Sequence, residues 1–283
     1  MNSAVLVTGG ASGIGRATVA RFLERGWGVV VADANPAAGQ SLLEESAGDR
    51  PGMLRFVHTD VTDEDAVERA VAHVSEVFGR IDCVVNNAGI GGAFGPITDI
   101  DVADWDETFA VLTRGVFLGI KHGARALIDQ GSGGAIVNTS SVGGLVGGGA
   151  PQAYSAAKAA VVSLGQSTAA ELAVHRIRVN TVCPGVIVTP LIGDNPQKVQ
   201  SALQGVQPWP EVGQPHEVAD LIAWLAGPES SFVTGAAIPI DGGLTAAGIR
   251  LGNSFGNNVG LQGLVGLNRG TTGGESVVRR RVG

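Results

Sequence analysis

The sequence predicts an α/β fold, a doubly wound parallel sheet with helices on both faces, and three observations carry that expectation. Short, wholly apolar runs such as Val29-Val30-Val31-Ala32 lack the alternation of a half-exposed strand and read as strands buried on both faces. Amphipathic stretches separate these runs, the pattern of repeated β–α–β units. The polar motifs of the chain fall where those strands would end, and ligands of such sheets bind beyond the carboxyl ends of the strands.

Taken in order, Ala4–Val7 reads as the first strand, followed by a glycine turn and a helix over Ile14–Arg25 that Gly26-Trp27-Gly28 ends. Val29–Ala32 is the second strand, closing at Asp33, and Pro36–Ser46 is a polar, amphipathic helix. Leu54–His58 is a third strand. Glu64–Phe78 is a helix opened by Thr62 and Asp63, residue types that cap free N–H groups. Ile81–Val85 gives a fourth strand, with Asn86-Asn87-Ala88-Gly89 after it. Asp104–Ile128 reads as one long helix, Ala135–Thr139 as a fifth strand, Tyr154–His175 as a helix and Arg178–Val182 as a sixth strand. Helix Pro215–Ala226 and strand Ala237–Ile240 close the pattern.

With 283 residues the chain can bury a substantial core, and one large domain over residues 1–243 accounts for the pattern. Residues 244–283 form a glycine-rich extension with Leu251, Phe255, Leu261, Leu264, Val265 and Leu267 spaced through it, ending in Arg279-Arg280-Arg281. Those apolar residues suit an inter-subunit arm, while the composition equally suits a loosely ordered tail. The hydrophobic content of 44% comes without an apolar run long enough to span a membrane, so a soluble protein with no membrane partner is expected. Met1–Leu6 shows no basic n-region or cleavage site, which points to the cytoplasm. Cys83 and Cys183 are too few for a disulfide framework, and neither they nor the five histidines show metal-ligand spacing, so no metal is expected. A net charge of −7 argues against nucleic acid as the main partner.

Two stretches carry chemistry. Thr8-Gly9-Gly10-Ala11-Ser12-Gly13-Ile14-Gly15 joins the first strand to the first helix, where glycines allow a tight turn and a pyrophosphate can meet free N–H groups. Asp33 then ends the second strand where a carboxylate can accept from adenosine ribose hydroxyls. It repels a 2′-phosphate, and Ala34 and Asn35 offer no cation to hold one, so NAD is favoured over NADP. Asp60 and Val61, after the third strand, can frame an adenine, although a turn aspartate explains Asp60 as well. The second stretch is Tyr154-Ser155-Ala156-Ala157-Lys158, which stacks a phenol and an ammonium one helical turn apart. The cation is expected to favour phenolate and bring the tyrosine's proton exchange closer to neutrality. Tyr154 is the sole tyrosine, and Ser140-Ser141 lies upstream, after the fifth strand.

Together these residues resemble the short-chain dehydrogenase/reductase family from about Leu6 to Gly243, through the TGxxxGxG turn, Asp33, Asn86-Asn87-Ala88-Gly89, Ser141, Tyr154, Lys158, Pro184–Thr189 and Asp241-Gly242-Gly243. The resemblance implies a Rossmann fold, a homo-oligomer with a tetramer favoured, and a Ser–Tyr–Lys catalytic set. Tyr154 would be the general acid/base, Lys158 would lower its pKa and hold the nicotinamide ribose, and Ser141 would bind the substrate oxygen. Ser141 is chosen over Ser140 on spacing, and strand alternation points the two to opposite sides. NAD contacts are implied at Gly9, Ser12, Gly13, Ile14, Gly15, Asp33, Asp60, Val61, Asn87, Ala88, Gly89, Tyr154, Lys158, Pro184, Gly185, Ile187 and Thr189, with Asn87 also supporting the central strands. One departure stands out: Val111-Leu112-Thr113-Arg114-Gly115-Val116-Phe117 puts Leu112 where the family often carries an asparagine that helps hold a relay water. A backbone carbonyl or Thr113 would then hold that water, or the proton takes another route.

Around the expected cleft, Ile90–Phe94, Val142–Ala150 and Ile187–Ile192 are apolar, and no Arg or Lys cluster accompanies them. The expected substrate is an uncharged, hydrophobic or cyclic secondary alcohol or ketone. A 3-oxoacyl-thioester reductase is the alternative within enzymes, and a catalytically inactive NAD-binding sensor or scaffold is the alternative outside them.

Overall fold

A computed structural model describes residues 3–46, 52–192, 195–203, 207–247, 264–267 and 277–280. The chain divides into two compact units, Met1–Thr245 and Ala246–Gly283.

The first unit holds a seven-stranded, all-parallel sheet in the order β3-β2-β1-β4-β5-β6-β7. Its strands are β1 Ala4–Thr8, β2 Gly28–Asp33, β3 Leu54–His58, β4 Cys83–Asn86, β5 Gly134–Thr139, β6 Ile177–Pro184 and β7 Ala237–Ile240. Side chains alternate across the sheet and build two cores. Leu6, Val84 and Ile136 pack on one face, against residues of α3 (Glu64–Phe78), α5 (Gly115–Gln130) and α6 (Gln152–Leu172). Val5, Val7 and Val137 pack on the other, with residues of α1 (Gly13–Glu24) and α8 (Pro215–Ala226). Burial on both faces is why these strands read as unbroken apolar runs.

The caps follow from local sequence. Asp63 accepts the Asp65 N–H at 3.0 Å to open α3, and Gly79 closes it in the left-handed conformation. Gln214 and Glu217 form a capping box ahead of Pro215. The short helices α2 (Pro36–Ser46) and α7 (Pro196–Leu203) complete the unit, the latter in a stretch for which the sequence predicted no element.

The long helix predicted over 104–128 runs as α4 (Val102–Phe109), a π-turn at Ala110–Arg114, and α5. Such a turn shifts one backbone bond to i→i+5 and re-aims the helix locally. Leu112 lies at its centre.

The second unit contains one antiparallel pair, β8 Leu264–Leu267 with β9 Val277–Arg280. The arm expected over Leu251–Leu267 lies outside the described residues except for β8. Among the described residues no helix is long and apolar enough to cross a membrane.

Candidate active site

The strand order reverses direction between β1 and β4, and a crevice opens beyond the ends of those two strands. Their ends are stitched together by polar groups. Thr8 Oγ1 accepts the N–H groups of Asn87 and Ala88 at 3.0 and 3.1 Å, and Asn87 Nδ2 donates to the carbonyls of Thr8 and Gly9, each at 3.2 Å. Close approach explains the glycines. Gly9 has φ +63°, and a Cβ there would lie 2.7 Å from Ala88 Cα. A Cβ on Gly15 would collide with the Gly9 carbonyl, so Gly15 packs beneath the turn and does not line the crevice.

Asp33 ties the turn to β2. Its Oδ2 accepts the Ala11 N–H at 3.0 Å and its Oδ1 accepts the Asn35 N–H at 2.9 Å. Asp60 is a turn residue, with Oδ1 accepting from the Thr62 N–H and hydroxyl at 2.8 Å each, and it also borders the crevice. Ser12 precedes α1 without capping it, and the first turn of α1 carries no acidic side chain. The first N–H groups of that helix therefore point at the crevice without a competing carboxylate.

The crevice is a cavity of about 360 Å³ whose wall includes every residue predicted from the sequence except Gly15. At its inner end α6 delivers Tyr154 and Lys158, and the residues after β5 deliver Ser140 and Ser141. The two serines part as strand alternation requires. Ser140 is buried with its hydroxyl donating to the Lys158 carbonyl at 2.7 Å, whereas Ser141 is half-buried and accepts the Gly143 N–H at 3.1 Å.

Lys158 is only 3% exposed, and its ammonium donates to the Thr139 carbonyl at 2.8 Å. Burial lowers its pKa to about 8. The expectation that Lys158 pulls the Tyr154 pKa down needs correction here. Burial raises the Tyr154 pKa, and the opposing pull comes from the Ser141 hydroxyl. The reason is geometric: the ammonium is committed to Thr139 and lies 5.7 Å from the centre of the Tyr154 ring.

Leu112 is fully buried and borders the cavity. Its Cδ2 would lie 3.2 Å from a Cβ on Gly89, and Lys158 Nζ 3.8 Å from that same point. Thr113 donates its hydroxyl proton to the Ala157 carbonyl at 3.3 Å. Ile187 is buried and forms a parallel bridge with Gly213, which braces the segment leading to Thr189. Ile90, Val111, Leu191 and Ile192 add apolar wall, and among the described lining residues Lys158 is the one cation.

A family profile described as enoyl-(acyl carrier protein) reductase matches residues 9–245. The chain is 42% identical over 241 residues to cis-4-hydroxycyclohexanecarboxylate dehydrogenase of Sinomonas cyclohexanicum, covering 85% of this chain and 96% of that protein. The chain belongs to the short-chain dehydrogenase/reductase family. A further relative in this family is 3-oxoacyl-(acyl-carrier-protein) reductase of Thermotoga maritima, 40% identical over 84% of this chain and 96% of its own length. The crystal structure of levodione reductase superposes with a TM-score of 0.79 at 36% identity, covering 87% of this chain and 98% of that one. Short-chain dehydrogenases/reductases are oxidoreductases that typically use a nicotinamide cofactor.

Sequence reasoning missed Thr108, which reaches from α4 to the loop after β4, and Thr139, whose carbonyl receives Lys158. Thr139 was legible only as the end of a strand. Thr108 carried no signal beyond being a polar residue in an amphipathic helix.

Proposed function

We propose that this protein interconverts an uncharged, hydrophobic or cyclic secondary alcohol and its ketone, with NAD as hydride carrier. The observation that carries the reading is one cavity that joins Ser141, Tyr154 and Lys158 at one end to the glycine turn and Asp33 at the other.

The residues present fit a dinucleotide. Gly9 and Gly13 adopt φ +63° and +51°, which strains any residue with a Cβ, and α1 is left uncapped by Ser12. The N-terminal turn of α1 would hold a pyrophosphate, and Asp33 would accept from the adenosine ribose hydroxyls. A 2′-phosphate would meet the Asp33 carboxylate, and Arg16, in the first turn of α1, is paired with Glu45. Asn87, Ala88, Gly89, Pro184, Gly185, Ile187 and Thr189 would line the remainder of the cofactor. Bound nicotinamide supplies the hydride acceptor or donor.

This chain's own residues then handle orientation and the proton. Ser141 would donate to the substrate oxygen, and Tyr154 would exchange its proton with that same oxygen. The buried Lys158 ammonium would hold the nicotinamide ribose. For the relay water, the Thr113 hydroxyl proton is committed to Ala157, so a main-chain carbonyl of the π-turn is the holder we assign. The apolar wall of Ile90, Val111, Leu191 and Ile192 favours an uncharged ring or chain. We place the enzyme in the cytoplasm as a homo-oligomer, in keeping with its sequence and family.

The test is NAD reduction over a panel of cyclic and open-chain secondary alcohols, with Tyr154→Phe as the control. Turnover that survives within tenfold in the variant refutes Tyr154 as acid/base. The thioester reading has the Thermotoga maritima relative in its favour and the single cation among the described lining residues against it. A 3-oxoacyl thioester assayed beside the alcohols separates the two, and faster thioester reduction with NADPH would favour that reading.

A further inference from the structure

Thr108, fully buried in α4, makes two hydrogen bonds through one hydroxyl. It donates to the Asp104 carbonyl at 2.7 Å, the ordinary back-bond of a helical threonine, and accepts the Ala93 N–H at 2.8 Å. The second bond leaves the helix for the loop that follows β4. Among the described residues it is the one hydrogen bond that ties residues 90–99 to the remainder of the protein, since Asp99 bonds only back to Pro96 and Thr98 within that span. The methyl group of Thr108 closes on the same place. Gly92 has φ +68°, and a Cβ there would lie 2.5 Å from Thr108 Cγ2.

Beyond this fastening the loop turns outward: Ala93 is buried, whereas Phe94 is 83% exposed. Before it, the loop forms part of the cavity. Ile90 lies on the wall, and a Cβ on Gly91 would sit 4.0 Å from Leu191 Cδ1 on the facing segment. Gly89 at the other end rests against Leu112, so the short span from 89 to 93 is held at both ends by the helix that carries the π-turn.

We propose that Thr108 is a positioning residue for the substrate: by holding the Gly92–Ala93 backbone it sets how far Ile90 stands from Leu191, and so the width of the substrate end of the cavity. The word substrate rests on the dehydrogenase reading above; the fastening does not. Gly89, where the span begins and which would line the cofactor, rests on Leu112 and not on Thr108, so the effect falls on substrate fit and spares cofactor affinity.

The test compares Thr108→Val, which keeps the shape and removes the hydroxyl, with Thr108→Ser, which keeps the hydroxyl. Three quantities are read: amide exchange at Ala93, Michaelis constant and kcat for an alcohol that the unaltered enzyme oxidises, and NADH affinity by fluorescence. Thr108→Val should speed Ala93 exchange by about tenfold or more and raise the Michaelis constant by about fivefold or more, because a buried N–H loses its acceptor. Its kcat and NADH affinity should stay within about twofold, and Thr108→Ser should match the unaltered enzyme on every count. Gly92→Ala, which drives a Cβ into Thr108, should raise the Michaelis constant in the same way and serves if the valine variant does not fold. Equal effects of Val and Ser, an unchanged Michaelis constant in the valine variant, or a parallel loss of NADH affinity would overturn the proposal. If the unaltered protein oxidises no alcohol, the dehydrogenase reading falls, and Ala93 exchange alone decides whether Thr108 holds the loop.

Discussion

Replacing Lys158 by methionine isolates what a buried ammonium costs this fold. Lys158 is 3% exposed, and burial brings its pKa from 10.5 down to about 8. A shift of that size corresponds to about 3 kcal/mol between the charged and neutral forms. At neutral pH the folded state carries the charged lysine at that cost, and the unfolded chain does not. Between pH 8 and 10.5 the folded state has released the proton while the unfolded chain still binds it, so stability rises with pH through this window. Methionine has similar length and nothing to titrate, but it leaves the Thr139 carbonyl without the donor it has at 2.8 Å. That loss costs about 1–3 kcal/mol and offsets the gain from removing the charge. The absolute difference at neutral pH is therefore small, while the slope against pH is untouched by the carbonyl. Urea unfolding of both proteins at one fixed concentration should show the gap moving toward the unaltered enzyme by about 2 kcal/mol from pH 7.5 to 9.5. A gap constant to within about 0.5 kcal/mol would refute the assignment of Lys158 as a charge held against desolvation.

Three further expectations can be checked directly. Tyr154→Phe should lose turnover yet bind NADH within about threefold of the unaltered protein, since only the proton-exchanging hydroxyl is removed; a fluorescence titration decides. The unaltered enzyme should prefer NAD over NADP by about tenfold or more in kcat/KM, and Asp33→Ala should narrow that ratio. Because Asp33 also accepts the Ala11 N–H, affinity for NAD falls as well, and the ratio is the informative quantity. Ending the chain at Thr245 should weaken assembly and lower Tm if the extension serves as an inter-subunit arm. Sizing chromatography and melting curves matching the full-length protein would make it a passenger.

The five inner strands were legible because each is buried on both faces and ends at a polar motif. Val29–Ala32 stops at Asp33 because Asp33 already belongs to the crevice, where its carboxylate folds back to Ala11. The π-turn was not legible. Val111, Leu112 and Thr113 continue the amphipathic pattern of their flanks, and a change of one backbone hydrogen bond leaves no mark on side-chain periodicity. Helix α7 is short and polar, with too few apolar positions to show a period. The β8–β9 pair was hidden differently: glycines surround both strands, and Leu264 meets Arg280 across a gap that no local pattern encodes.

The candidate site was legible in its parts and misread in one relation. Spacing singled out Ser141, and the structure separates it from Ser140 by giving each serine a different neighbour, Gly143 for one and the Lys158 carbonyl for the other. Spacing also paired Tyr154 with Lys158, but placement one turn apart says nothing about where a long side chain ends. Lys158 ends at Thr139, on another element, so its influence on the phenol could not be read from the helix alone. Leu112 was visible as a departure, and its consequence needed coordinates. The side chain fills the space beside Gly89, where its Cδ2 would lie 3.2 Å from a Cβ. A water held by the main chain of the π-turn depends on the path of the helix and not on the side chain at 112. On that proposal leucine can stand there without displacing Ser141, Tyr154 or Lys158.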